Sequence, residues 1–234
     1  MNPLARKAFP VLFAGLALLG LAACSNETGE RKAFIEFLQT RIVDKPGVHV
    51  PQLTLNESKA FGEYTTHYAV ITDFNGGMDA VVKPLGNLVQ KGAVRSLSDV
   101  ISRRDDIKGV QSGLNDMGVQ LQQQRAKADS AHAQLKQPED LKAVYDKAYD
   151  KTVSVPANTF LEVLPQIDST LDSSLKVADY VTAHKAQIEI NGPVIKVQDP
   201  KVQAELNALL HDLNAQAKTV QQAQARLQAV MLGR

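Results

Sequence analysis

Apolar residues recur at spacings of three and four along most of this chain, the period of helices with one buried face. From about Glu30 to Val43 that face is Phe34, Phe37, Leu38 and Ile42, and Lys45-Pro46-Gly47 ends the helix. Thr54-Leu55-Asn56-Glu57 has capping-box spacing and opens a second helical segment. Its stripe is Phe61, Tyr64, Tyr68, Ile71, Met78, Val82, Leu85 and Val89, with Asn75 filling one slot. Gly76-Gly77 weakens the middle of that segment and Pro84 kinks it, which leaves room for two helices with a bend. Ser96 or Ser98 caps a third long helix with Ile107, Val110, Leu114, Met117, Leu121, Ala128, Ala131 and Leu135 on its inner side.

Pro138-Glu139-Asp140 opens a further helix, with proline early and acids at the positive N-terminal end. Leu141, Val144, Tyr145 and Ala148 are its buried candidates. Pro156 starts the next, faced by Phe160, Leu164, Ile167, Leu171, Leu175 and Ala178, and Pro165 predicts a kink or a boundary within it. The period then changes. Residues 187–197 alternate apolar and polar around Asn191-Gly192, a hairpin signal, with Pro193 confined to a strand start or an edge. Asp199-Pro200 caps the last helix, along which run Val202, Leu206, Leu209, Leu213, Val220 and Leu227. Long helices joined by short loops pack antiparallel. The expected fold is mainly all-α: an elongated antiparallel bundle with one small β-hairpin near residues 187–198, and residues 30–234 forming a single helical domain.

The N-terminal stretch has a different character. Arg6-Lys7 precedes an apolar run from Ala8 to Gly20, followed by Leu21-Ala22-Ala23-Cys24. A cationic head, a 7–15-residue apolar core and small residues before a cut are the parts of a secretory signal peptide. The run is shorter than the roughly 20 apolar residues that span a bilayer. Leu21-Ala22-Ala23-Cys24 resembles the lipobox of bacterial lipoproteins, which implies cleavage between Ala23 and Cys24 and lipid on the Cys24 thiol. Two or more acyl chains anchor stably where one is marginal. Residues 1–23 are thus expected to be a lipoprotein signal peptide and residues 24–29 a flexible lipidated tether. Ser25 in place of the aspartate that marks inner-membrane retention favours the outer membrane.

Composition narrows the picture further. The formal charge of +1 becomes −1 once Arg6 and Lys7 are removed, with 24 basic against 25 acidic residues. No basic face for nucleic acid and no polybasic membrane segment is expected at that balance. The chain has one cysteine, so it makes no internal disulfide and offers no multi-cysteine metal site. His49, His67, His132, His184 and His211 show no metal-ligand spacing on a common helix face. No nucleophile elbow or phosphate-binding glycine loop occurs, and the adjacent acids Asp105-Asp106 and Glu139-Asp140 do not face one another as an acid–base pair. No catalytic residue, cofactor or metal is expected.

Several stretches, taken in order, carry a resemblance. They are Arg31-Lys32-Ala33-Phe34-Ile35-Glu36-Phe37-Leu38-Gln39, Phe61-Gly62 with Tyr68-Ala69-Val70, and residues 131–137 (Ala-His-Ala-Gln-Leu-Lys-Gln) with Asp140-Leu141-Lys142. Behind a lipobox they resemble the YiaF-like lipoproteins, a family with a domain of unknown function. The resemblance implies a helical envelope lipoprotein and supplies no activity, cofactor or catalytic residue.

Three functional readings follow. The first is a non-enzymatic lipoprotein of the bacterial cell envelope, facing the periplasm and offering its bundle to an envelope protein. The second is a carrier of an apolar small molecule, with Phe61, Tyr64, His67 and Tyr68 lining a pocket. The third, least favoured, is an envelope hydrolase whose site is assembled across helices from His67 or His132, an acid and a hydroxyl.

Overall fold

The computed structural model describes residues 19–84, 87, 96–191 and 194–234. Leu85 and Val89 of the expected helix face, and Gly192 and Pro193 of the expected hairpin, lie outside the described residues, as does the leader up to residue 18.

The elements in chain order are α1 (Leu19–Leu38), a π-helical turn (Gln39–Val43), α2 (Leu55–Phe61), α3 (Tyr64–Val82), α4 (Leu97–Ser102), α5 (Arg104–Gln134), α6 (Glu139–Tyr149), a second π-helical turn (Asp150–Ser154), α7 (Val155–Ala183), β1 (Ile188–Asn191), β2 (Val194–Val197) and α8 (Pro200–Leu232). The fold is mainly all-α with one small antiparallel hairpin. Its register pairs Ile188 with Val197 and Asn191 with Val194, so Asn191, expected in the turn, belongs to β1 instead. The long helices set the proportions: α5, at 31 residues, and α8, at 33, run about 45–50 Å.

Helix boundaries follow local chemistry. The Thr54–Glu57 capping box is formed: Glu57 N–H donates to the Thr54 hydroxyl and Thr54 N–H to the Glu57 carboxylate. Asp199 accepts from Lys201 N–H at 2.7 Å ahead of Pro200. The second segment divides, but at Gly62 rather than at Gly76-Gly77. Gly62 takes φ +52°, which ends α2, and α3 then runs unbroken through Gly76-Gly77 to Val82. Gly77 lies close to α5: a Cβ at that position would meet the end of the Gln124 side chain at 2.6 Å and displace it. The third segment also divides, with Ser96 capping the short α4 and a break at Arg103 before α5.

Two further differences concern continuity. No loop separates α6 from α7; a π turn joins them into one helical path from Glu139 to Ala183. Pro156 has no N–H for the Thr152 carbonyl, and the wider turn just before it absorbs the missing bond. Pro165 lies inside α7 and makes no boundary. Residues 24–29, expected as a flexible tether, belong to α1, which is helical from Leu19.

The core has two ends. At one, Phe34, Phe37, Phe61, Tyr64, Tyr68, Phe74, Leu141, Tyr145 and Tyr149 pack between α1, α2, α3 and α6. α5 lies between α3 and α7 and carries this core onward through Leu114, Met117 and Leu121. At the other end the hairpin closes over the α7–α8 pair with Val177, Val181, Ile188, Val202 and Leu206. The far tip of α8 returns to the aromatic half. Gly47 (φ +65°) and Gly233 (φ +69°) lie backbone to backbone, too close to admit a Cβ on either, and Val48 N–H donates to the Met231 carbonyl at 3.1 Å.

Candidate functional site

The expected aromatic pocket does not exist as a pocket. Phe61, Tyr64 and Tyr68 are 3, 2 and 1% exposed. Phe34 from α1 lies 5.4 Å from Phe61 and 5.9 Å from Tyr64, and Phe37 stands edge-on to Tyr68 at 5.2 Å. The period-3/4 spacing placed these rings on one face correctly; that face is filled by the rings of α1. Their hydroxyls are spent as well. Tyr68 donates to the Pro51 carbonyl at 2.7 Å and Tyr64 to the Glu27 carboxylate at 3.4 Å. Burial pushes both phenols above the usual tyrosine range, so both are neutral donors.

His67, the fourth residue of that group, lies on the flank of α3 and is half-buried. Its ring is edge-on to Tyr64 at 5.2 Å, and its Nδ1 accepts from the Gln137 amide at 3.2 Å. Its backbone carbonyl accepts from the Tyr145 hydroxyl at 2.7 Å. Burial outweighs the nearby Glu63 and holds the imidazole below the usual histidine range.

Gln137 leads from His67 to the polar cluster that stands out among the described residues. Asp129, His132, Ala133, Leu135, Gln137 and Lys142 line a groove of about 300 Å³ where α5 ends and α6 begins. His132 Nε2 donates to Asp146 Oδ1 at 2.8 Å, and Lys142 donates to the other oxygen at 2.5 Å. The His132 ring stacks on Tyr149 at 4.2 Å. Tyr149 in turn donates to Asp129 at 2.7 Å, and Asp129 also accepts from Arg125 at 3.2 Å. Partial burial works against the charge of Asp146, but its bonds from Lys142 and His132 prevail and hold the carboxyl below the usual range. Burial first, and then the Asp129 carboxylate, push the Tyr149 phenol well above its usual range.

This arrangement is a clasp between two helix ends with a histidine in it. The imidazole nitrogen nearest an acid is committed to that acid, as in many acid–base dyads. A nucleophile is what it lacks: the groove lining contains no serine, threonine or cysteine, and the neighbouring phenol is committed to Asp129. No group of three or more metal-ligating side chains occurs among the described residues. Sequence reading passed over the cluster, although Asp129 and His132 share a helix face at spacing three and Lys142 and Asp146 at spacing four. Only the turn between α5 and α6 brings the two pairs together. The other histidines stay apart from it: His184 stacks on Tyr180 at 4.2 Å, while His49 and His211 are exposed.

Cys24 and Ala23 fall within the first turns of α1. Just after them α1 is tied to the body, at Glu27 with Tyr64, and at Arg31, whose guanidinium lies 3.5 Å from Asp140 of α6. No helix among the described residues is long and apolar enough to cross a membrane.

Comparison with known proteins bears on the chain as a whole. It is 30% identical over 220 residues, 92% of its own length and of theirs, to the uncharacterized protein YiaF of Escherichia coli K12 and of Escherichia coli O157:H7. A protein of the same description in Shigella flexneri matches equally. No solved structure matches. A family model described as a protein of unknown function, DUF3053, covers residues 12–228, and with a match of that extent the chain belongs to that YiaF-like family of unknown function.

Proposed function

We propose that this protein is a lipoprotein of the bacterial cell envelope, anchored by lipid on Cys24 and offering its bundle to an envelope protein partner without catalysing a reaction. The observation that carries this reading is the leader: Arg6-Lys7, the apolar run from Ala8 to Gly20, and Leu21-Ala22-Ala23 immediately before the chain's one cysteine. Lipid at that position explains an isolated cysteine in an exported protein, and it makes any further membrane-binding segment unnecessary. Ser25 favours the outer membrane and a periplasm-facing domain. The non-catalytic part of the reading is supported by the His132 groove, where His132 is bonded to Asp146 and the Tyr149 phenol to Asp129 rather than to a nucleophile.

Fractionation of cells carrying Cys24→Ala tests the anchor. The wild-type protein is expected in the outer-membrane fraction, and the variant is expected to leave it. A variant that stays in the wild-type fraction contradicts lipid attachment. Crosslinking in intact cells tests the partner, since a non-enzymatic role requires a reproducible envelope protein bound to the bundle.

A further inference from the structure

We infer that the lipid anchor fixes the orientation of the domain, with the end formed by the N-terminal turns of α1, the Gly62 turn and the α5–α6 loop lying against the bilayer. This rests on the reading of Cys24 as the lipidated residue. Glu27, whose carboxylate is bonded to Tyr64 of α3, is the third residue after Cys24. Even fully extended, three residues reach only about 10 Å. In α1 they are already helical and reach less. Either way the attachment has no slack, so the part of the body nearest Glu27 stays within about 10 Å of the headgroups.

Contacts identify that part. Tyr64, bonded to Glu27, stands against His67 at 5.2 Å, and His67 holds Gln137 of the α5–α6 loop at 3.2 Å. One turn further along α1, Arg31 reaches Asp140 at the start of α6. The α5–α6 loop is thus within three contacts of the anchored turn. The opposite end of α1 is placed differently. From Glu27 to Val43 the helix rises about 24 Å, and beyond it lie Lys45, Gly47 and the tip of α8. The Gln137 end of the His132 groove accordingly lies toward the bilayer, and the Gly47–Gly233 clasp lies away from it.

The test uses the full-length lipidated protein in liposomes. Lipid on Cys24 blocks its thiol, so a cysteine introduced by Lys136→Cys (α5–α6 loop) or Lys45→Cys (beyond α1) is the one site that a thiol-reactive donor dye labels. Energy transfer to acceptor-labelled headgroups is expected to be severalfold more efficient from position 136 than from position 45. Inserting a twelve-residue Gly/Ser linker between Ser25 and Asn26 should abolish most of that difference. Equal transfer from both positions, or a difference that survives the linker, overturns the fixed orientation. Mass spectrometry of the same preparations separates the two readings: lipidated protein with equal transfer refutes the orientation alone, and an unmodified Cys24 refutes the anchor and the orientation with it.

Discussion

The aromatic end of the bundle and the hairpin end solve the same problem, closing a core between helices, with different side chains. At the aromatic end, rings from α1, α2, α3 and α6 meet edge-on, tilted or stacked, and phenol hydroxyls reach across to other segments: Tyr68 to Pro51, Tyr145 to His67, Tyr149 to Asp129. Each tyrosine there contributes buried ring area and one hydrogen bond that ties two segments. At the hairpin end the core is five buried aliphatic or β-branched residues, surrounded by partly exposed Ile190, Ile195, Leu209, Leu210 and Leu213. Tyr180 donates to Glu205 at 2.9 Å, Ser173 donates to Asp212 at 3.1 Å, and Arg104 pairs with Asp179, ties that are exposed or partly buried. A smaller apolar core held by such ties keeps its shape less tightly, so stability should grade from one end to the other.

The largest expected effect is at the aromatic end. Phe34 is fully buried and touches Phe61, Tyr64, Tyr68 and Tyr145. Phe34→Ala should cost about 3–5 kcal/mol in urea unfolding followed by circular dichroism. A loss under 1 kcal/mol would remove the distinction between the ends. Leu206→Ala, at the hairpin end, should cost about 2–3 kcal/mol, because its partly exposed neighbours can settle into the gap. Its signature is local: amide exchange should speed up in the hairpin and the first turns of α8 while α1 and α3 keep their protection.

Smaller effects sharpen the picture at the clasp. Tyr149→Phe keeps the stack on His132 and removes the bond to Asp129, for a loss of about 1 kcal/mol in the same unfolding assay. Asp146 sets a pH limit. Its carboxyl is held below the ordinary value of 3.8, so its contribution is present above that value and is lost as pH falls through the lowered one. Wild-type stability should therefore decline at acid pH below the usual carboxylate range, and Asp146→Asn should flatten that decline. An unchanged acid limb in the variant would detach Asp146 from the clasp.

The hairpin, the N-caps at Thr54, Ser96 and Asp199 and most of the buried stripe were legible in the sequence, because each depends on residues close together in the chain. Ile107, Val110, Leu114, Met117, Leu121 and Ala128 are buried in α5 as their spacing demands. The break at Gly62 was hidden, since a glycine pair at 76–77 looks weaker locally; what decides is which glycine the tertiary structure drives to positive φ. The π turn before Pro156 was hidden too, because a missing donor can be met by a loop or by a wider turn, and packing on both sides selects the turn. The aromatic stripe was read correctly as a face and wrongly as a cavity wall, because whether a face is filled depends on α1. The His132–Asp146 clasp joins residues from two helices and becomes visible only once the turn between them is in place.

The orientation of the domain depends on how the chain is held. Mass spectrometry of the N-terminal peptide, from protein extracted out of membranes of the native host, measures this directly. The expected peptide starts at Cys24 and carries a diacylglyceryl thioether. A peptide that retains residues upstream of Cys24, or that shows a free thiol there, contradicts the anchor.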